Sequence, residues 1–125
     1  MNEEPKKILI VEDDQFIREL YERQIKQAGF QVEGTFSGKT AIEMLDKNSY
    51  DLLMLDLNIP DVSGFQILNH LKEHRTNSEM IVLVVSNVNE DRLINEAMKE
   101  GASGFIIKST YTPSQVVEEV KSFLS

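Results

Sequence analysis

ILIVEDD, residues 8–14, sets four unbroken apolar residues directly against three acids. A strand with one face in water alternates apolar and polar side chains. An unbroken run of this length is expected where both faces are covered, as in a parallel sheet flanked by helices. Three adjoining carboxylates at the end of such a strand repel one another and resist desolvation. Asp13 or Asp14 could cap a following helix, since Asp is a favoured N-cap residue, but a cap accounts for one acid and not for three. A cation at the strand end would account for the others.

The same kind of run recurs at Leu52–Leu55, Ile81–Val85 and Phe105–Ile107. A weaker stretch, Gln31–Phe36, alternates Val32, Gly34 and Phe36 with polar residues and reads as an edge strand. Helical patterns lie between the runs. The first covers Gln15–Ala28, with Ile17, Leu20, Ile25 and Ala28 on one face and Gly29 as its stop. Ala41, Ile42 and Leu45 mark a second helix; Phe65, Ile67, Leu68 and Leu71 mark a third; Ile94, Ala97 and Met98 mark a fourth, stopped by Gly101. The fifth carries Val116, Val117, Val120, Phe123 and Leu124, and its start has Thr112 as N-cap, Pro113 at the first helical position and Gln115 completing a capping box. Strand and helix alternate five times. Right-handed crossovers then put helices on both faces of a parallel sheet, a doubly wound α/β domain.

The chain of 125 residues suits one domain with a proper core. No apolar stretch approaches membrane-spanning length, and the opening MNEEPKK lacks the layout of a signal peptide. Cysteine is absent, which excludes disulfides, thiolate metal sites and a Cys nucleophile. Together these features suit the cytoplasm. The formal net charge of −8 disfavours direct binding to nucleic acid and fits a bound cation or a partner with a basic face. No repeat or linker interrupts the chain, and VVEEVKSFLS runs to the last residue, so a single domain over 1–125 without an output domain is expected.

Sites in open α/β sheets form outside the carboxyl ends of the strands. The first run ends in Glu12, Asp13 and Asp14, the third strand in Asp56, the fourth in Ser86 and the fifth in Lys108. Each has an ordinary reading by itself. Asp56 could open a loop; Ser86 could be a turn or capping hydroxyl, with Asn87 and Asn89 equally able to cap the fourth helix; Lys108 could be a solvated lysine. Chance does not readily gather all of them on one edge. Mg²⁺ prefers hard oxygen ligands and is typically held by one or two carboxylates plus a phosphate, and Glu12, Asp13 and Asp56 could form that cradle. An Asp carboxylate can act as a nucleophile toward phosphorus, Lys108 would offset charge on phosphoryl oxygens, and Ser86 could donate a hydrogen bond to one of them. No GxxxxGK[ST] loop is present. His70 and His74 are spaced to hold a metal, but without HExxH or a third ligand in the sequence they read as partly exposed helix residues.

These residues resemble the receiver domain of bacterial two-component response regulators, over nearly the whole chain. ILIVEDD resembles the family's first strand, with its acidic pair at Glu12 and Asp13 and Asp14 as an extra acid. DLLMLDLNIPDVSG resembles the phosphoacceptor strand and loop, with Asp56 as acceptor and Pro60 and Gly64 at the family's places. VLVVSN carries Ser86 at the switch Ser/Thr position, and EGASGFIIK carries Lys108 at the family lysine and Phe105 at the switch aromatic. The resemblance implies a flavodoxin-like (βα)₅ fold with strand order 2-1-3-4-5. It also implies a phosphotransfer switch, in which Asp56 takes a phosphoryl group from a sensor histidine kinase or histidine phosphotransfer protein with Mg²⁺ bound. The backbone carbonyl of Asn58 would be the remaining protein ligand. Ser86 and Phe105 would then bias a surface over the fourth helix, fifth strand and fifth helix that a downstream protein reads.

Three positions depart from the family pattern. Ser109 follows Lys108 where Pro is common. A cis bond before a non-proline residue costs about 2.5–4 kcal/mol, so the Lys108–Ser109 bond is open between cis and trans at this level. Phe105 replaces the frequent Tyr, and Asn87 stands where a small residue is common, in reach of the approach to Asp56. Two other functions compete with the switch: an interaction module that is never phosphorylated, and a Mg²⁺-dependent phosphatase acting on small molecules. Enzymatic action is otherwise expected to extend no further than the protein's own phosphotransfer and autodephosphorylation. Haloacid-dehalogenase-like enzymes carry DxD on the first strand, whereas Asn58 lies two past Asp56 here, and a cap domain to enclose a substrate is not expected.

Overall fold

The computed structural model of the chain describes residues 4–74 and 79–125; the first three residues of MNEEPKK lie outside them. Its elements in chain order are β1 (Lys7–Val11), α1 (Gln15–Gln27), β2 (Gln31–Thr35), α2 (Gly38–Lys47), β3 (Leu52–Leu55), α3 (Gly64–His74), β4 (Ile81–Ser86), α4 (Asp91–Lys99), β5 (Gly104–Ile107) and α5 (Pro113–Leu124), with one 3₁₀ turn at Lys108–Thr110. The strands are all parallel and pair in the order β2-β1-β3-β4-β5. That is the order which the family resemblance implies.

Within each apolar run the side chains still alternate. Leu9, Val11, Leu53, Leu55, Val82 and Val84 face a core closed by Ala41 and Leu45 of α2, Ile67 and Leu68 of α3, and Ala97 of α4. Ile8, Ile10, Leu52, Met54, Leu83 and Val85 face the other core, closed by Tyr21 and Ile25 of α1 and Val116, Val117 and Val120 of α5. Both faces are buried, so a period of two is hidden in sequences that read as solid apolar.

The ends of the helices show how the sequence sets them. Asp14 is the N-cap of α1 and accepts from the Ile17 amide at 3.0 Å. Thr112 and Gln115 form the expected capping box on α5, with Pro113 just inside. Gly29 and Gly101 follow α1 and α4 with φ of 100° and 115°, the left-handed conformation that glycine adopts most easily. None of the three candidate caps of the fourth helix, Ser86, Asn87 and Asn89, is used: its N-cap is Glu90, without a side-chain bond. The chain continues past both asparagines before turning helical, and the longer Glu90 side chain runs outward toward Arg92. β2 stops at Thr35, one residue short of the expected strand, because Phe36 leaves the sheet and is exposed.

Gly64 opens α3 directly beneath the end of β3. A Cβ there would lie 2.6 Å from Leu57 Cα and 2.7 Å from the Asp56 carbonyl oxygen, both backbone atoms that cannot swing aside. Overfilling a packed position typically costs about 1–3 kcal/mol. Gly64→Ala is therefore expected to lower stability by about that much, read as a shift in the urea midpoint. An unchanged midpoint would mean that the exit of β3 yields without cost.

Candidate functional site

The register of the sheet assembles the site. Val11 pairs with Leu55, and Leu55 with Val84, so Glu12 and Asp56 emerge side by side from the centre of the sheet. Ser86 pairs with Ile107, which brings Lys108 to the same edge. The Asp56 amide donates to the Val11 carbonyl at 3.0 Å and continues the pairing one residue beyond the strand. Asp56 is 5% exposed, Glu12 3% and Ser86 fully buried. Asp13 lies at the solvent side, and one carboxylate oxygen from each of Glu12, Asp13 and Asp56 falls within 4.8 Å of the others.

The three acids of the opening stretch thus have three different positions. Asp14 caps a helix. Glu12 points inward, accepting from Lys108 Nζ at 2.6 Å through Oε1 and from the Asp14 amide at 3.1 Å through Oε2. Asp13 completes an oxygen-lined rim with Asp56. Asp56 is also held on both oxygens. Oδ1 accepts from Ser86 Oγ at 2.9 Å and from the Asn58 amide at 3.0 Å, and Oδ2 accepts from Lys108 Nζ at 2.8 Å.

Burial pushes the Glu12 carboxyl above its usual pKa, against the bonds from Lys108 and Asp14, with the Asp56 charge adding to the rise. Burial also works against the Lys108 ammonium. Its bonds to Asp56 and Glu12 outweigh that, so its pKa stands above the ordinary lysine value. Lys108 is therefore a fixed cation between two carboxylates. The solvated lysine of the ordinary reading does not describe it.

A family model for the response regulator receiver domain matches residues 8–121. The chain belongs to this family. It is 32% identical over 117 residues to the transcriptional regulatory protein SrrA of Staphylococcus aureus, covering 94% of this chain and 47% of SrrA. The chain thus spans about half the length of the curated relatives it matches. Among solved structures it superposes on the BeF3-activated DrrB receiver domain with a TM-score of 0.84 at 26% identity, covering 96% of this chain and 97% of the other. A CheY-like receiver domain protein from Methanospirillum hungatei superposes with a TM-score of 0.88 over 96% of this chain and 94% of the other; at 23% identity it supports the fold alone. Phosphorylation and an acidic Mg²⁺ pocket are typical of receiver domains.

The remaining singled-out residues of this receiver domain take the following places. The described residues contain no cis peptide bond, so the open choice at Lys108–Ser109 resolves to trans, inside the 3₁₀ turn. Phe105 is half-buried against the core under α2, α3 and α4. Asn87 is exposed beside buried Ser86. His70 and His74 lie on α3 with stacked rings; His70 Nε2 meets Asp46 of α2 at 2.9 Å, and His74 Nδ1 meets the His70 carbonyl. Asp46 is a neighbour that spacing along α3 could not reveal. Among the described residues, the acidic trio at the strand ends is the group gathered closely enough to hold a metal. No helix among them is long and apolar enough to cross a membrane.

The loop after Asp56 has an anchor that sequence reading missed. Asp61 accepts from the Gly38 amide at 2.9 Å, the Lys39 amide at 3.1 Å and the Ser37 hydroxyl at 2.8 Å, all at the start of α2. A carboxylate is favoured at a helix N-terminus, where unpaired amides concentrate positive charge. The bonds from Gly38, Lys39 and Ser37 hold the Asp61 carboxyl well below its usual pKa. A carboxyl whose pKa falls on folding adds stability above its unfolded pKa and loses it as pH drops through the folded value. Asp61→Asn is therefore expected to be less stable than the parent at pH 7, with the gap closing below pH 3.8, the ordinary Asp value. Urea midpoints of both proteins from neutral to acid pH measure this; a gap that persists at acid pH would assign it to packing and not to charge.

Proposed function

We propose that this receiver domain is a phosphorylation-dependent switch that accepts a phosphoryl group on Asp56 from a phosphohistidine, carried by a sensor histidine kinase or a histidine phosphotransfer protein. The observation that carries this reading is the double engagement of one buried carboxylate: Ser86 and Asn58 on one oxygen of Asp56, Lys108 on the other. The carboxylate is held in one orientation at the open edge of the sheet, ready for in-line attack. In the transfer, a carboxylate oxygen of Asp56 bonds to phosphorus as the phosphorus–nitrogen bond breaks, and the imidazole leaves with the bonding electrons. Lys108 then pairs with the new phosphoryl oxygens, and the Ser86 hydroxyl, freed from the carboxylate, donates to one of them.

The donor set fits Mg²⁺: three hard carboxylates within 4.8 Å, with the Asn58 carbonyl proposed as a further ligand. When bound, Mg²⁺ supplies neutralising charge to the phosphoryl oxygens. Phosphorylation adds a charge of about −1.5 to −2 at a centre that already gathers three carboxylates, two of them paired with one ammonium. Relief comes from moving Ser86 and, with it, Phe105 on the neighbouring strand. The surface of α4, β5 and α5 is the part that a downstream protein would read. The small-molecule phosphatase reading has less support, because the residue two past Asp56 is Asn58 and not the second acid of a DxD pair.

Intact-mass measurement after incubation with acetyl phosphate and Mg²⁺ tests the chemistry. One added phosphoryl group is expected on the parent and none on Asp56→Asn or in EDTA. Repeated turnover of the phosphodonor without a stable adduct would favour the phosphatase. No adduct from acetyl phosphate or from a competent phosphohistidine protein would leave a silent binding module. Asn87, exposed next to Ser86, is expected to slow access to Asp56. Asn87→Ala should then gain or lose its phosphoryl group faster than the parent, and equal rates in both directions would refute a gating role.

A further inference from the structure

Arg18 lies on α1 and takes no part in the chemistry above. Its Nη1 donates to the main-chain carbonyl of Glu12 at 2.9 Å. That oxygen lies just past the end of β1, outside the regular strand ladder, while the Glu12 amide is held by the Thr35 carbonyl at 3.1 Å. The Glu12–Asp13 peptide group, which sets the directions of two of the three clustered carboxylates, is thus fixed by a guanidinium.

Two otherwise odd features, one inside β2 and one just after it, form the slot for this side chain. Gly34 stands inside a strand, where glycine weakens pairing unless another group must come close. A Cβ at Gly34 would lie 3.3 Å from Arg18 Cδ and 2.4 Å from Glu22 Oε2, so its absence makes room for both α1 side chains. Phe36 is 65% exposed, a poor place for a large apolar ring. Its ring centre lies 5.9 Å from the guanidinium carbon of Arg18, within reach of a cation–π contact. Gly34 below and Phe36 beside it direct Arg18 at the Glu12 carbonyl.

We propose that Arg18 is a positioning residue for the metal cradle, setting Mg²⁺ affinity through the Glu12–Asp13 peptide group; this rests on reading Glu12, Asp13 and Asp56 as a Mg²⁺ site. The sign of the effect separates positioning from plain electrostatics. A guanidinium near a cation site repels the cation, so if charge alone mattered, its removal would tighten binding. Positioning predicts the opposite. Groups that orient metal ligands from behind typically account for 10–100-fold in affinity.

Calorimetric titration of MgCl₂ into the parent, Arg18→Met, Arg18→Lys and Phe36→Ala tests this, with urea unfolding in EDTA as the control for folding. Arg18→Met keeps the apolar stem and is expected to weaken Mg²⁺ binding by about tenfold, at the low end for such groups. Arg18→Lys, which retains a donor on a long stem, should recover most of the loss. Phe36→Ala should weaken binding by less than Arg18→Met. Equal or tighter binding by Arg18→Met overturns the proposal. If Arg18→Met does not fold in EDTA, unchanged affinity in Phe36→Ala overturns it instead. A parent that binds no Mg²⁺ overturns the cradle reading itself, and the two failures are distinct because one is read in the parent and the other in the variants.

Discussion

One ammonium holds this domain's site in shape. Lys108 Nζ bridges Glu12 and Asp56 at 2.6 and 2.8 Å, joining the end of β5 to the ends of β1 and β3 across the sheet. Two buried carboxylates at adjoining strand ends would otherwise drive each other apart or take up protons. Removing one partner of a buried ion pair typically costs about 3–5 kcal/mol, because the other charge is left without compensation. On the proposed function, the same arrangement would make the site responsive. An ammonium already engaged with a carboxylate can follow new charge on that carboxylate with little movement.

The surrounding structure limits that movement to a few groups. Asp56 is fixed from behind by the Val11 carbonyl and from the side by Ser86 and Asn58. The loop beyond it is closed by the Gly64 amide on the Leu57 carbonyl at 2.9 Å and tied by Asp61 to the start of α2. The Ser86 hydroxyl has weaker ties: besides its bond to Asp56 it meets the Val88 amide at 3.4 Å, while the Ser86 backbone is held in the sheet against Ile107. Of the side chains that hold Asp56, the Ser86 hydroxyl on the β4 and β5 side is the one with a second, longer bond. Phe105, half-buried on β5, stands on that side.

Much of the fold was legible in the sequence, because unbroken apolar runs need two covered faces and the helical patterns between them supply the covers. Strand ends were less so. β4 extends to Ser86 and β5 begins at Gly104, each one residue beyond the apolar run, because backbone pairing continues where apolarity stops. Glu12, Asp56, Ser86 and Lys108 could be picked out because each directly follows or ends a strand, and Asp13 because it continues the acidic run from Glu12. Asp61 could not: its partners lie 22 to 24 residues earlier, on a helix whose placement over the loop no local pattern reveals. Arg18 was hidden for a similar reason. On a helix an arginine reads as solvated surface, and its target is a carbonyl, which every residue has. The sequence clues to it were the misfits, a glycine within β2 and an exposed phenylalanine just after it. The asparagines before α4 misled in the other direction, since cap-forming residues in a loop do not say where the helix begins.

The solid apolar strands have a consequence for folding. In a sheet with one wet face, sliding a strand by one residue exchanges its buried and exposed sides and is strongly penalised. Here Ile8 to Val11, Leu52 to Leu55 and Ile81 to Val85 are apolar on both sides, so a one-residue slip would trade one buried aliphatic side chain for another. Hydrophobicity scarcely distinguishes the correct alignment. The polar residues at the strand ends do, because a shifted β1 or β3 would draw Glu12 or Asp56 into the interior away from Lys108. The charged cluster thereby acts as the alignment key of the sheet, and sequence change at the site would be constrained by folding even in a relative that had lost its chemistry.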